Sequence, residues 1–219
     1  YLADEKAKLR EVLPVADFAK GLLASAGETD GFREYLGDDP GSWAQKLKSA
    51  YDEEKRVKGD EQPVVGVSWF DASAYCLWLS MLETAAAGVP VEKLGRVYRL
   101  PREIEWEWAA GGGVREYPWH PDKGEPTDKL ANYTGNVGAT TPVGRYPDGA
   151  TPEGLMDMAG NVWEWMENLH GHKQFPRARS LRGGSWGFYV VDLRCSARGY
   201  YGPESRHVND ALVTPFDVR

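Results

Sequence analysis

Gly154-Leu155-Met156-Asp157-Met158-Ala159-Gly160-Asn161-Val162-Trp163-Glu164-Trp165 is the stretch on which the fold turns. It lies in a region, 114–185, where Gly, Pro, Asn, Asp and Thr recur every few residues and apolar runs are short. Such a pattern reads as irregular backbone carrying a few short strands. Four further segments accompany it in chain order: Pro63-Val64-Val65-Gly66-Val67-Ser68-Trp69-Phe70-Asp71-Ala72, Tyr98-Arg99-Leu100-Pro101-Arg102-Glu103-Ile104-Glu105-Trp106-Glu107, Thr141-Pro142-Val143-Gly144 and Leu181-Arg182-Gly183-Gly184-Ser185-Trp186.

The chain of 219 residues is long enough for a substantial core. Aromatic residues make up 12%, nine of them Trp, which argues for a folded protein. The net charge is −7, and Lys and Arg form no long run, so no nucleic-acid partner is expected. No apolar stretch approaches the roughly 20 residues that span a bilayer. The chain starts Tyr1-Leu2-Ala3 and not with Met, so a native N-terminus bearing a targeting segment or another domain is compatible with it. Two cysteines, Cys76 and Cys195, are too few for a disulfide scaffold or a four-thiolate zinc site.

Apolar spacing predicts a helix over 3–26, interrupted at Pro14, and a short one near 42–50 within a polar stretch, 27–62. Another is expected over 71–82, with Ser68 as its cap and Ala72, Tyr75, Cys76 and Leu79 on one face. Residues 83–96 read as a loop. Pro101 opens a third helix that Gly111-Gly112-Gly113 ends. Its alternating Glu103, Glu105 and Glu107 read as a solvated flank, and Trp69, Trp106, Trp163 and Trp186 as core residues.

In order and spacing the five segments resemble the sulfatase-modifying-factor, or formylglycine-generating-enzyme, family from about residue 63 onward. The resemblance implies an α+β, C-type-lectin-like fold with two main helices, small twisted antiparallel sheets and much irregular loop. One domain over 1–219 is expected, with the motifs in 63–219 and a weaker helical part in 1–62.

The family's oxidases carry two copper-binding cysteines shortly after the Gly-Gly-Ser-aromatic motif. Here that stretch is Gly187-Phe188-Tyr189-Val190-Val191-Asp192-Leu193-Arg194, without a thiol. Cys195 matches a structural cysteine, and the positions that would pair with Cys195 and Cys76 hold none, so both are expected free and buried. The resemblance therefore implies no catalytic residues, no required cofactor and no enzyme. It also implies a possible structural calcium at Asp157, Gly160, Val162 and Glu164, two carboxylates and two carbonyls; a loop tied by hydrogen bonds without metal is the alternative. His170-Gly171-His172 reads as a solvated loop. The iron-dependent sulfoxide synthases of this fold carry a histidine motif on an N-terminal helical bundle, and residues 1–119 hold no histidine.

Residues 187–213 contain no Lys, Gln, Met or Trp and one Glu, Glu204, although these five types make up about a quarter of residues 1–186. This alphabet resembles the variable proteins of diversity-generating retroelements, whose C-terminal segment is rewritten at adenines of AAY codons; fully mutated, such codons cannot give those five residues. The implied binding surface is Gly187, Phe188, Tyr189, Val190, Val191, Asp192, Gly199, Tyr200, Tyr201, Glu204, Ser205, His207, Asn209 and Asp210. Leu193-Arg194-Cys195-Ser196-Ala197-Arg198 interrupts it as a core strand would. Tyr, Gly, Ser and Asn suit recognition of a protein or another ligand. The alternatives are a structural or accessory homologue, and an oxidase or iron-dependent enzyme of the same fold.

Overall fold

The computed structural model describes residues 21, 31–39, 42–47, 49–51, 54–55, 57–88, 98–207, 210–212 and 216–217. Its elements, in order, are α1 (Phe32–Leu36), α2 (Trp43–Lys46), α3 (Trp69–Ala86), β1 (Tyr98–Arg99), α4 (Glu103–Gly111), β2 (Trp163–Leu169), β3 (Arg179–Arg182), β4 (Gly199–Tyr201), β5 (Asp210–Leu212) and β6 (Phe216–Asp217). Short 3-10 turns occupy Pro121–Lys123, Pro147–Gly149 and Val190–Leu193. The helix expected over 3–26 falls, Gly21 apart, outside the described residues.

The chain divides into two compact units. One comprises Tyr1–Lys48, Phe70–Leu100 and Pro215–Arg219. In it Phe70 is fully buried, with Tyr35 stacked on its ring at 4.6 Å and Phe32 edge-on at 5.5 Å. The Tyr35 hydroxyl donates to Asp71 Oδ1 at 3.1 Å. Helix α3 is longer than the spacing predicted, running through Ala86, and Gly88 in the left-handed region follows its end. Tyr75, expected on the buried face, is exposed. The Ser80 hydroxyl accepts from Tyr98 N at 2.8 Å and leads the chain into β1, which pairs antiparallel with β6.

The other unit comprises Ser49–Trp69 and Pro101–Thr214. Its sheet runs β4-β3-β2-β5. β2 pairs antiparallel with β3, and β3 with β4; β5 joins β2 in parallel, so the sheet is mixed at that edge. β2 shows no in–out alternation because Trp163 through Met166 are covered on both faces.

The stretch 154–165 binds to the other motif segments. Trp165 Nε1 donates to Val67 O at 3.0 Å, and Trp69 Nε1 to Met166 O at 2.9 Å. Trp106 Nε1 donates to the buried Glu164 Oε2 at 3.0 Å. Asn161 Oδ1 accepts from Thr141 N at 2.9 Å, its Nδ2 donates to Thr141 O at 3.0 Å, and its carbonyl accepts from Trp186 N at 2.9 Å. Buried polar groups are as a rule paired, and here the pairings tie α3, α4 and β2 to the loops around them. Gly160, at φ 77, sits so close to Asn132 that an added Cβ would lie 2.4 Å from its carbonyl oxygen. Around this knot lie two apolar clusters: Tyr117, Trp119, Leu130, Ala131, Ala159 and Leu193; and Trp106, Ala110, Met158, Met166 and Cys195.

Candidate binding surface

Helix α4 and strand β3 hold the frame of the surface. Glu103 begins α4, whose first turn is closed by Arg102 N donating to Glu105 Oε2 at 2.7 Å. Glu103 and Glu107 stand one turn apart and share a face, which corrects the expectation of a solvated flank. Glu103 is 8% exposed; Ser180 Oγ donates to its Oε2 at 3.1 Å, Arg198 Nη2 at 2.7 Å, and Arg182 Nε lies 3.0 Å from its Oε1. Burial pushes the Glu103 carboxyl up, but the bond from Arg198 and the charges of Arg182 and Arg198 outweigh it and hold it below the usual range. Arg182, 2% exposed, also pairs with Glu107 and donates to the carbonyls of Cys195 at 2.7 Å and Ala197 at 2.9 Å.

That guanidinium fixes residues 193–198. Leu193 and Cys195 are buried, and Cys195 N donates to Glu116 O at 2.8 Å. The segment is the core frame expected, but it is irregular backbone and not a strand: its carbonyls go to Arg182 in place of a sheet neighbour.

The flanks of this frame are displayed. Tyr189 is 70% exposed and Val191 54%, on a loop tied down by Thr134 N donating to Phe188 O at 2.8 Å and Tyr189 N to Asp192 Oδ2 at 3.0 Å. Gly187 is exposed as well. Val190, counted among the surface residues, instead packs against the cluster around Tyr117 and Trp119, because the 3-10 turn directs it inward. On the other flank Tyr200, Glu204 and His207 are exposed, and Gly199, Tyr201 and Ser205 are half-buried. Asn209 and the side chain of Asp210 lie outside the described residues. Trp163 joins the two flanks. Phe188 meets its ring edge-on at 5.5 Å, and a Cβ at Gly199 would lie 3.4 Å from it.

Beside β4 opens a cleft of about 430 Å³ lined by Gln174, Phe175, Pro176, Arg177 and Ala178 on one side and Tyr200 to Glu204 on the other. His170 and His172 are not the free loop the sequence suggested. Their rings pack on Tyr200 at 4.7 Å and 4.6 Å, and His207 packs on Tyr201 at 4.6 Å. Burial, then the nearby Arg198 charge, lowers the His170 pKa. The sequence marks this cluster only by two histidines and Phe175 within six residues.

The residues read as calcium ligands are taken up by protein donors. Asp157 Oδ2 accepts from Gly144 N at 2.6 Å, and Glu164 Oε2 from the Trp106 indole. Burial raises the Asp157 pKa, and the Gly144 N–H only partly offsets this. Calcium asks for six to eight oxygens, whereas no group of three or more His, Cys, Asp or Glu is gathered among the described residues. Both carboxylates therefore take part in the loop's own hydrogen bonds. Cys76 and Cys195 are both free and buried, as expected, and burial pushes the Cys195 thiol up to about 11. No helix among the described residues is long and apolar enough to cross a membrane.

The mixed sheet, the two main helices and much irregular loop define a C-type-lectin-like domain of the formylglycine-generating-enzyme type. The chain belongs to the sulfatase-modifying factor enzyme 1-like domain family, whose model matches residues 22–210. Among solved structures it is similar to Treponema denticola variable protein 1, with a TM-score of 0.56 and 26% identity, covering 83% of this chain and 78% of that one. Among curated relatives it is 34% identical over 178 residues to a hercynine oxygenase of Mycobacterium tuberculosis, covering 72% of this chain and 37% of that protein. It is 38% identical over 161 residues to serine/threonine-protein kinase pkn1 of Chlamydia caviae, covering 65% of this chain and 22% of that protein. The chain thus spans well under half the length of these curated relatives. The hercynine oxygenases overturn the expectation that the chain is no enzyme. That inference rested on one missing thiol pair, and the family includes proteins named for another chemistry.

Proposed function

We propose that this domain binds a ligand through residues 187–192 and 199–207, in the manner of the variable proteins of diversity-generating retroelements. One observation carries the reading: Leu193 to Arg198 are clamped by Arg182, while Tyr189, Val191, Tyr200 and Glu204 on either side project to solvent. Side chains there can change without disturbing the frame that holds them. Tyrosines give rigid contact area and the Gly, Ser and Asp positions adaptable hydrogen bonding. The restricted alphabet of 187–213 and the likeness to a variable protein support the same reading. The partner is a protein or other ligand met at this surface. The decisive observation is genomic: a near-copy of the coding segment beside a reverse transcriptase, differing only at adenines. Neither element near the gene, in any strain that carries it, would sink the proposal.

The oxygenase relatives favour a second reading, in which the same surface lines a substrate site within a longer enzyme. The natural full chain would then retain iron through purification in a fixed ratio and lose turnover when it is removed.

A further inference from the structure

Trp163 stands between the two flanks of the display surface. It is 3% exposed, so its indole has no solvent to swing into. On one side Phe188 meets the ring edge-on, at 5.5 Å between centroids and 85° between planes. On the other lies Gly199, the first residue of β4. A Cβ built at Gly199 would stand 3.3 Å from Leu181 Cβ, 3.4 Å from Trp163 Cζ3 and 3.5 Å from Trp163 Cη2. At the two shorter distances a neighbour must give by a few tenths of an ångström.

The two neighbours differ in how they can yield. Leu181 Cβ hangs directly on the backbone of β3, where Leu181 is paired with Trp165 of β2 and with Gly199 of β4. It cannot give without the sheet. Cζ3 and Cη2 are instead the far rim of the indole, where a small turn about the side-chain torsions produces the largest displacement. A close-packed interior passes such a shift on to whatever touches the ring. Here that is Phe188, whose edge-to-face seat has a narrow preferred geometry. The Phe188 backbone is held: its N–H donates to Ser185 O at 3.0 Å, and its carbonyl accepts from Thr134 N at 2.8 Å. A push on the ring is therefore felt at the Thr134 bond and at the next residue, the exposed Tyr189.

We propose that Trp163 couples the two display segments, so that the side chain at 199 sets the seat of the indole, and the indole sets Phe188 and the loop that carries Tyr189. Every residue but glycine brings a Cβ to position 199. A ligand resting on Tyr189 would thus respond to a change at 199 that it never touches. Residue 199 acts as a positioning residue for the loop 187–192, and the two halves of the surface do not vary independently. The meaning of this coupling for recognition rests on the binding reading above, while the coupling itself belongs to the free chain.

The test is the amide and aromatic NMR spectrum of the isotope-labelled free chain. Gly199→Ala should shift the ring signals of Phe188 and the amides of Thr134, Phe188 and Tyr189, because an indole that turns changes the ring current they feel. Gly112→Ala, whose added Cβ has nothing within 4 Å, should leave them in place. In a Trp163→Phe background, where the rim atoms are gone, Gly199→Ala should no longer reach residues 188 and 189. The contact works in both directions, so Phe188→Leu should shift the Trp163 indole N–H and the Gly199 amide; this arm decides even where Gly199→Ala fails to fold. Shifts from Gly199→Ala that stay within 179–182 and 198–201, or that reach Tyr189 equally with and without the indole, would overturn the proposal. So would a Gly199 amide unmoved by Phe188→Leu. Each of these results leaves the binding reading standing with two independent halves, and failure of the genomic test leaves the spectra as they are.

Discussion

Arg182 Nε lies 3.0 Å from Glu103 Oε1, and the two side chains are withdrawn from solvent between α4 and β3. The same guanidinium holds the carbonyls of Cys195 and Ala197. One buried ion pair therefore links the helix, the sheet and the frame between the displayed flanks. Breaking such a pair from one side strands a buried charge.

Glu103→Gln should lower stability at neutral pH by about 3 kcal/mol, read by urea denaturation. The sign of the pH dependence follows from the lowered carboxyl pKa of the folded chain. The stabilisation is present above the ordinary carboxylate range and is lost as pH falls through the folded-state value. The parent should thus lose stability more steeply on acidification than the variant. Parallel acid limbs would mean that Glu103 takes no part.

Gly160→Ala and Gly112→Ala place a Cβ on left-handed backbone, at φ 77 and φ 59. At Gly112 nothing lies within 4 Å of the new atom, whereas at Gly160 it meets the Asn132 carbonyl oxygen at 2.4 Å. The Gly112 change should cost about 1 kcal/mol, and the Gly160 change at least about 3 kcal/mol, because strain and a steric clash add. Melting curves of the two variants decide; equal losses would deny the close approach.

The sequence made the centre of the fold legible because its knot is built from residues that pair only in one way. Asn161, Trp165 and Trp106 mark a loop, a strand and a helix whose side-chain bonds close on one another or on neighbouring segments, and all four expected tryptophans except Trp186 are deeply buried. Periodicity failed where tertiary contacts set the answer. Tyr75 keeps helical spacing with Ala72 and Cys76 yet is exposed. The parallel pairing of β5 leaves no local mark. Glu103 and Glu107 look solvated until Arg182, some 75 residues on, arrives beside them. The surface positions were found from a residue alphabet, which identifies a segment but not which side chains point outward; Val190 shows the difference. The cleft wall at Phe175 lies outside that alphabet, so the alphabet leaves it unmarked.

Calcium should leave the melting temperature unchanged when added at about 1 mM or removed with a chelator. Asp157 and Glu164 already accept from Gly144 and Trp106. Removing the first bond matters more: Asp157→Ala leaves the Gly144 N–H without its acceptor and should cost about 1–2 kcal/mol. A calcium-dependent rise of several degrees would show that the two carboxylates re-form as ligands.

Native chain should resist thiol-modifying reagents at mildly alkaline pH. Both cysteines are buried, and the Cys195 pKa of about 11 leaves almost no thiolate there. Denaturant should release two reactive thiols together. Rapid labelling of one thiol in the folded chain would place that cysteine at the surface.

The sharpest test of display against frame lies within five residues. Tyr189 and Val191 project into solvent, while Leu193 is fully buried against the Tyr117 and Trp119 cluster. Tyr189→Ser and Val191→Thr should each change stability by less than about 0.5 kcal/mol. Leu193→Ala opens a cavity beneath the frame and should cost about 2–5 kcal/mol, or roughly 4–20 °C in melting temperature for a chain of this size. A surface tolerant of such changes is what a segment rewritten from copy to copy requires, because each new side chain must leave the Arg182 clamp and the core beneath it intact. Comparable losses at Tyr189 and Leu193 would mean that the whole segment is structural, and the binding surface would then have to lie elsewhere on the domain.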